Sequence, residues 1–154
     1  EAKRRADYSH RVMQAFGAIV AIYMRSKPHR EMRLCDIEGL VGPAVTTGQF
    51  SLAEATHKQN GLVTPVAVVL WASVSGAVDA RISADPEKPP ALSPPEWKSG
   101  DTIWIVEAIG DQRMIGPMLQ RLQTTLWKGR TVKMRHKGDD GRVLTHVLME
   151  KTSV

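Results

Sequence analysis

Glu107 stands in a run, residues 103 to 109, whose other members are all apolar or aromatic. A carboxylate buried without a partner is costly, so its presence there asks for a donor or a cation nearby. Strand alternation leaves a second reading open, in which Glu107 points to solvent opposite Val106. His29 lies in Ser26-Lys27-Pro28-His29-Arg30. Histidine is the side chain suited to moving protons near neutral pH, although one that follows a helix-ending proline is commonly a solvated loop residue. Ser26, three residues earlier, fits a turn cap as well as a catalytic hydroxyl. A third group is cationic: Arg113, Arg121, Lys128, Arg130, Lys133, Arg135 and Lys137 occur with no acidic residue between them. This stretch is either a solvated helix face and hairpin or a docking surface for an acidic partner. Nucleic acid is the poorer partner, because no recognition helix, zinc motif or aromatic platform accompanies the charge. His10, His57, His136 and His146 match no pattern and read as surface residues. No metal-ligand set is expected.

The elements that must position these groups follow from periodicity. Between Asp7 and Arg25, the residues Val12, Met13, Phe16, Ile19, Val20 and Tyr23 recur at helical spacing, with Glu1 to Arg5 frayed. Pro28 ends that helix by disfavouring helical geometry at Lys27. Leu34 to Val45 reads as a second short helix, broken near Gly42-Pro43. Phe50 to His57 reads as a strand, Asn60-Gly61 as a hairpin turn, and Pro65 to Trp71 as a buried strand. A weak helix is expected over Ser73 to Ile82. The five prolines of Ala84 to Pro95 make a stiff loop. Thr102 to Ile109 reads as a strand. Met114, Ile115, Met118, Leu119, Leu122 and Leu126 mark one helical face. Thr131 to Arg135 and Val143 to Met149 form two strands around Asp139-Asp140-Gly141. This order describes an α/β or α+β sheet domain.

At 154 residues one domain with a single core is expected, covering residues 1–154 with 1–6 frayed. No apolar run approaches the roughly 20 residues that cross a bilayer. Phe16 to Met24 has basic flanks, but no small-residue cleavage site follows it before Lys27. A cytoplasmic protein without stable membrane insertion is therefore expected. Cys35 is the single cysteine, so no internal disulfide can form. It reads as a small buried hydrophobe in a reducing compartment. The net charge of +5 favours an acidic partner, be it nucleic acid, anionic lipid, carrier protein or cofactor phosphate.

Three tracts, in order and spacing, carry a resemblance. They are Ser26-Lys27-Pro28-His29-Arg30, Pro65 to Ser73, and Trp97-Lys98-Ser99-Gly100-Asp101-Thr102-Ile103-Trp104 leading into Glu107. Together they resemble the toxin-activating lysine acyltransferases, the hemolysin-activating family, over roughly Phe16 to Lys137. The resemblance implies an α/β single domain like the GCN5-related acetyltransferases, with a mixed, mostly antiparallel sheet flanked by helices. It implies transfer of a fatty acyl chain from acyl carrier protein to internal lysines of an RTX-type toxin, by a homodimer. His29 then matches the catalytic histidine and Ser26 the serine before it. Glu107 falls where the family usually has aspartate, which moves the charge by about one bond length, ~1.5 Å. The loop after Glu107 looks shorter than in the family.

The chemistry suits such residues. A lysine side chain has a pKa of about 10.4, so a base near pH 7 must take its proton as it attacks a thioester. His29 is assigned as that base and Glu107 as its orienter or as a second base, with a backbone N–H as the oxyanion donor. Direct transfer is preferred, and a covalent route through Ser26 or His29 stays open. Arg113-Met114-Ile115-Gly116 resembles the pyrophosphate loop of GCN5-related enzymes at a helix start. Arg113 and Gly116, with Arg121, Lys128 and Arg130, are thus the donor-binding candidates. They would serve the acyl-phosphopantetheine of acyl carrier protein, a donor substrate and not a resident cofactor. Two alternatives stand beside this reading: an acyl-coenzyme A dependent N-acyltransferase acting on a small amine, and a non-catalytic module that grips an acidic partner.

Overall fold

The helical pattern before Pro28 becomes α1 (Ala2–Arg25) in the computed structural model, which describes residues 1–150. The helix runs through most of the segment expected to fray, and Arg5 closes on Glu1 at 2.8 Å. Residues 2–11 are nevertheless all exposed, although the Tyr8 hydroxyl donates to the Thr46 carbonyl at 3.0 Å. From Val12 onward one side meets the core, through Val12, Ala15, Phe16, Ile19, Ile22 and Tyr23. Met13, expected on that side, is exposed instead. The second helix, α2 (Leu34–Thr46), passes through Gly42-Pro43 without the expected break. Pro43 forfeits one helical hydrogen bond. Burial of Val41, Ala44 and Val45 around it favours keeping the turn helical. Cys35 lies exposed in the first turn of α2 and is not the buried hydrophobe expected.

The sheet has five strands in chain order: β1 (Phe50–Thr56), β2 (Val63–Val74), β3 (Thr102–Gly110), β4 (Val132–Lys137) and β5 (Val143–Met149). Every neighbouring pair is antiparallel except β3 and β4. A parallel pair needs a crossover, and α4 (Gln112–Thr124) supplies it. Two apolar layers result. One packs α1, α2 and α3 (Gly76–Ala84) on Val68, Leu70, Ala72, Trp104 and Ile109. The other packs Ile115, Met118 and Leu122 of α4, with Trp127, on Val69, Trp71, Ile103 and Ile105. Leu126, read from sequence as part of the α4 face, is exposed, because α4 ends at Thr124 and Trp127 takes the buried place. The chain is a single α/β domain with a mixed sheet flanked by helices.

Two local features set the position of β3. Its start is braced by the Trp97-to-Asp101 tract, where Ser99 and Gly100 both donate backbone N–H groups to the Ser73 carbonyl. A Cβ on Gly100 would sit 2.5 Å from the Val74 carbonyl oxygen, so only glycine allows this approach. Trp97 and Trp104 are buried packing residues. The second feature is a bulge. Leu70 pairs with Glu107 and Trp71 with Ile105, leaving Val106 as the surplus residue.

The proline-rich loop before β3 ends in a short 3-10 turn (Pro94–Trp97), closed by a capping box between Ser93 and Glu96. Arg81 forks onto Glu96 at 2.7 and 2.8 Å, which with the Ser93 N–H holds that carboxyl down at about 2. The same loop reaches the far strands: Arg135 donates to the Lys88 carbonyl and Val143 N–H to Glu87. Among the described residues no helix is long and apolar enough to cross a membrane.

Candidate active site

The end of α1 builds half of the site. Ser26 leaves the helix with extended backbone, and its carbonyl accepts the N–H groups of His29 and Arg30 at 2.9 and 3.0 Å. This tight turn folds His29 back over the helix end. Ser26 Oγ lies 2.6 Å from His29 Nδ1. The imidazole also stands edge-on to Tyr23, with ring centroids 5.2 Å apart and planes at 82°. Tyr23 is buried, and its hydroxyl has no hydrogen-bond partner among the described residues. Burial first, and the charge of Glu107 second, push that hydroxyl well above the ordinary phenol range, so it stays neutral.

The bulge supplies the other half. Strict alternation along β3 would put Glu107 with Ile103 and Ile105, in the α4 layer. The surplus Val106 shifts the register, so that Glu107 pairs with Leu70 of the α1 layer. Its Oε2 then lies 3.3 Å from His29 Nε2, with both side chains about four-fifths buried. Burial raises the Glu107 pKa from the usual carboxylate value, and the charge and hydrogen bond of His29, then Arg135, oppose the rise. Burial in turn lowers the Arg135 guanidinium, with the Glu107 charge opposing. A carboxylate only accepts hydrogen bonds, so an ionised Glu107 fixes the His29 proton on Nε2 and leaves Nδ1 to accept from the Ser26 hydroxyl. Ser26, His29 and Glu107 therefore form one line of hydrogen bonds.

The donor-binding candidates are spread along α4 and beyond it. Arg113 and Gly116 sit in its first turns, where Asp111 is the N-cap and accepts from the Arg113 N–H. Arg113 also forks onto Asp111 at 2.8 and 3.1 Å. The helix start thus already carries a carboxylate. A Cβ on Gly116 would meet nothing within 4 Å. Arg121 and Lys128 are exposed at the far end of the helix, while Arg130 faces Asp101 at 3.6 Å. Lys133 is bound instead to Asp79, at 2.8 and 3.0 Å, beside the Trp104 indole N–H. His10, His57, His136 and His146 are exposed. Sequence reading missed Tyr23 and Arg135 as neighbours of the site. The spacing of Tyr23, Ser26 and His29 at three-residue steps was the available signal for the first. Nothing local marked the second. No cluster able to hold a metal ion occurs among the described residues.

The sequence model described as the RTX toxin acyltransferase family matches residues 8–148. The chain belongs to that family. Its match spans the whole line from Ser26 to Glu107 and all of α4. Lysine-acyltransferase RtxC of Vibrio cholerae serotype O1 (strain ATCC 39315 / El Tor Inaba N16961) is 29% identical over 125 residues, covering 79% of this chain and 76% of that protein. Membership of the RTX toxin acyltransferase family makes acyl transfer the reaction class here. In an acyltransferase, a paired imidazole and carboxylate beside a hydroxyl can accept the proton of an attacking nucleophile.

Proposed function

We propose that this acyltransferase moves a fatty acyl chain from acyl carrier protein to lysine side chains of a partner protein, an RTX-type toxin, in the cytoplasm. The observation that carries the reading is His29 held between Ser26 and Glu107, at 2.6 and 3.3 Å. His29 acts as general base through Nδ1. Glu107 orients the ring and stabilises the imidazolium that forms. The amine nitrogen bonds to the thioester carbon, the carbon–sulfur bond breaks, and the thiolate leaves with the electron pair. A proton passes from the amine to His29 and then to the thiolate.

The strand pairing supports a donor side at the β4 edge of β3. The β3–β4 ladder covers only Ile103 to Ile105 against Val132 to Met134. Beyond it, β3 pairs with β2 alone among the described residues. The opening on the β4 side of Glu107 suits the amides of a phosphopantetheine arm, as the likeness to GCN5-related acetyltransferases implies. Carrier protein then docks on Arg121 and Lys128, which flank the exposed Leu126. Arg113 and Gly116 lie at the site end of the same helix and Arg130 near its far end. The homodimer implied by the resemblance belongs to the same proposal.

The short bond from Ser26 to Nδ1 favours one second reading, in which Ser26 takes the acyl group first. Intact mass after a single turnover without acceptor separates the two. Direct transfer leaves the protein mass unchanged, whereas an acyl adduct on Ser26 establishes the covalent route. The function itself is tested by co-expressing a candidate toxin and measuring lysine masses. A fatty acyl increment is expected with the unaltered protein and none with His29→Ala. An unmodified acceptor in both cases refutes the reading, and coenzyme A thioesters outperforming carrier-bound chains would move the donor assignment.

A further inference from the structure

A cavity of about 300 Å³ opens beside the site, lined by Ile22, Arg25, Ser26, Val66, Gly110 and Asp111. Of the hydrogen-bonded line only Ser26 reaches it; His29 and Glu107 do not line it. We propose that this cavity receives the acceptor lysine, with Asp111 binding its ammonium and Ser26 passing its proton to His29. The assignment rests on the lysine acyltransfer proposed above.

The lining has the chemistry of a lysine side chain. Ile22 and Val66 offer apolar contact for the methylene stem. At about 30 Å³ per water, the space equals roughly ten waters, which is ample for that stem. Asp111 is the one carboxylate among the lining residues. It is held ionised, its carboxyl below the usual range, by Arg113 and by the Arg113 N–H. Two carboxylate oxygens have lone pairs for a second cation beside that guanidinium. The other charged lining residue is already engaged: Arg25 donates to the carbonyls of Ala21 and Pro65, which ties the end of α1 to β2. Asp111 is fixed by its own N–H, which donates to the Val66 carbonyl at 2.9 Å.

Position separates the two substrates. The cavity lies between α1 and the β2 side of β3, whereas the open strand edge faces β4. An acceptor from one side and a donor from the other meet at the same strand end, as direct transfer in a ternary complex requires. The proton path then closes. The amine gives a proton to Ser26 Oγ as Ser26 gives its own to His29 Nδ1, so the serine ends unchanged. The freed nitrogen pair bonds to the thioester carbon; as the carbon–sulfur bond breaks, the thiolate takes the proton held by His29 and the new amide nitrogen releases its surplus proton to water.

Asp111→Asn tests the carboxylate and keeps the fold, because asparagine caps a helix as well as aspartate does. The probes are two peptides that differ in one side chain, lysine or its uncharged aminooxy analogue, with carrier-bound donor held constant. The variant raises KM for the lysine peptide by about tenfold, the size of one charge-assisted contact. KM for the aminooxy peptide and for the donor stays within twofold. Val66→Phe, which narrows the cavity, raises KM for both peptides and not for the donor. An equal loss on both peptides with Asp111→Asn, or an effect of Val66→Phe on the donor alone, overturns the assignment. An unaltered protein that acylates neither peptide overturns the parent function and this assignment with it.

Discussion

At the imidazole of His29 both nitrogens are engaged, and the acid that engages Nε2 is the less comfortable partner. Glu107 is buried, and burial outweighs His29 and Arg135 in moving its pKa upward from the ordinary 4.5. Its folded form therefore binds a proton more readily than its unfolded form. The stability tied to that proton is complete below the ordinary value and is lost as pH rises through the folded one. Glu107→Gln removes the titration. The melting temperature of the variant, relative to the unaltered protein, is expected to climb between pH 4 and pH 7, while acyl transfer falls by ~10²-fold or more. A melting difference that stays flat over that range would show that the carboxyl is not held as described. The three catalytic candidates were legible in the sequence as motif positions, because residue types at fixed spacing survive without coordinates. Tyr23 was legible only as an apolar helix residue, since its hydroxyl gains meaning from the turn that brings His29 back over it.

At the scale of elements, the strand end that carries Glu107 depends on close backbone contact. Gly110 has a φ of +116°, and a Cβ there would fall 2.2 Å from the Val66 carbonyl oxygen. Gly110→Ala must part β3 from β2 and move both Glu107 and Asp111. We expect a loss of ~1–3 kcal/mol from the backbone conformation alone, a drop of several degrees in melting temperature, and a larger fractional loss of activity. Gly116→Ala is the matched control. Its Cβ meets open space inside a helix, so it stabilises by up to ~1 kcal/mol. A donor KM that rises in this variant would place the phosphopantetheine arm against Gly116. The strands and α4 were readable from alternation and helical spacing, and their ends shifted by only a few residues. The bulge was not readable, because one surplus residue in a run of apolar side chains leaves no trace in composition. Pro43 misled for the opposite reason: a strong local signal was overruled by burial on either side of it.

For the molecule as a whole, the basic stretch shrinks once partners are assigned. Lys133 is bound to Asp79, Arg130 to Asp101 and Arg113 to Asp111, which leaves Arg121 and Lys128 near the far end of α4, and Lys137 on β4, as the exposed cations. That helix spans 13 residues, or ~20 Å, so the proposed docking surface lies about that far from the helix end beside the site. Arg121→Glu with Lys128→Glu is expected to raise the KM for carrier-bound donor up to about tenfold at low salt, with the difference shrinking as salt screens it. An unchanged donor KM would remove the docking surface from the account. Sequence charge alone could not make this distinction, since pairing is set by the fold. The two helical layers also stand in an unequal relation to the chemistry, and the bulge at Val106 decides between them. A β3 paired without the bulge would leave every reactive side chain in the gene, yet carry the acid through to the opposite side of the sheet. Base and acid would then be parted by a wall of backbone, in a protein with an unblemished motif and no catalyst.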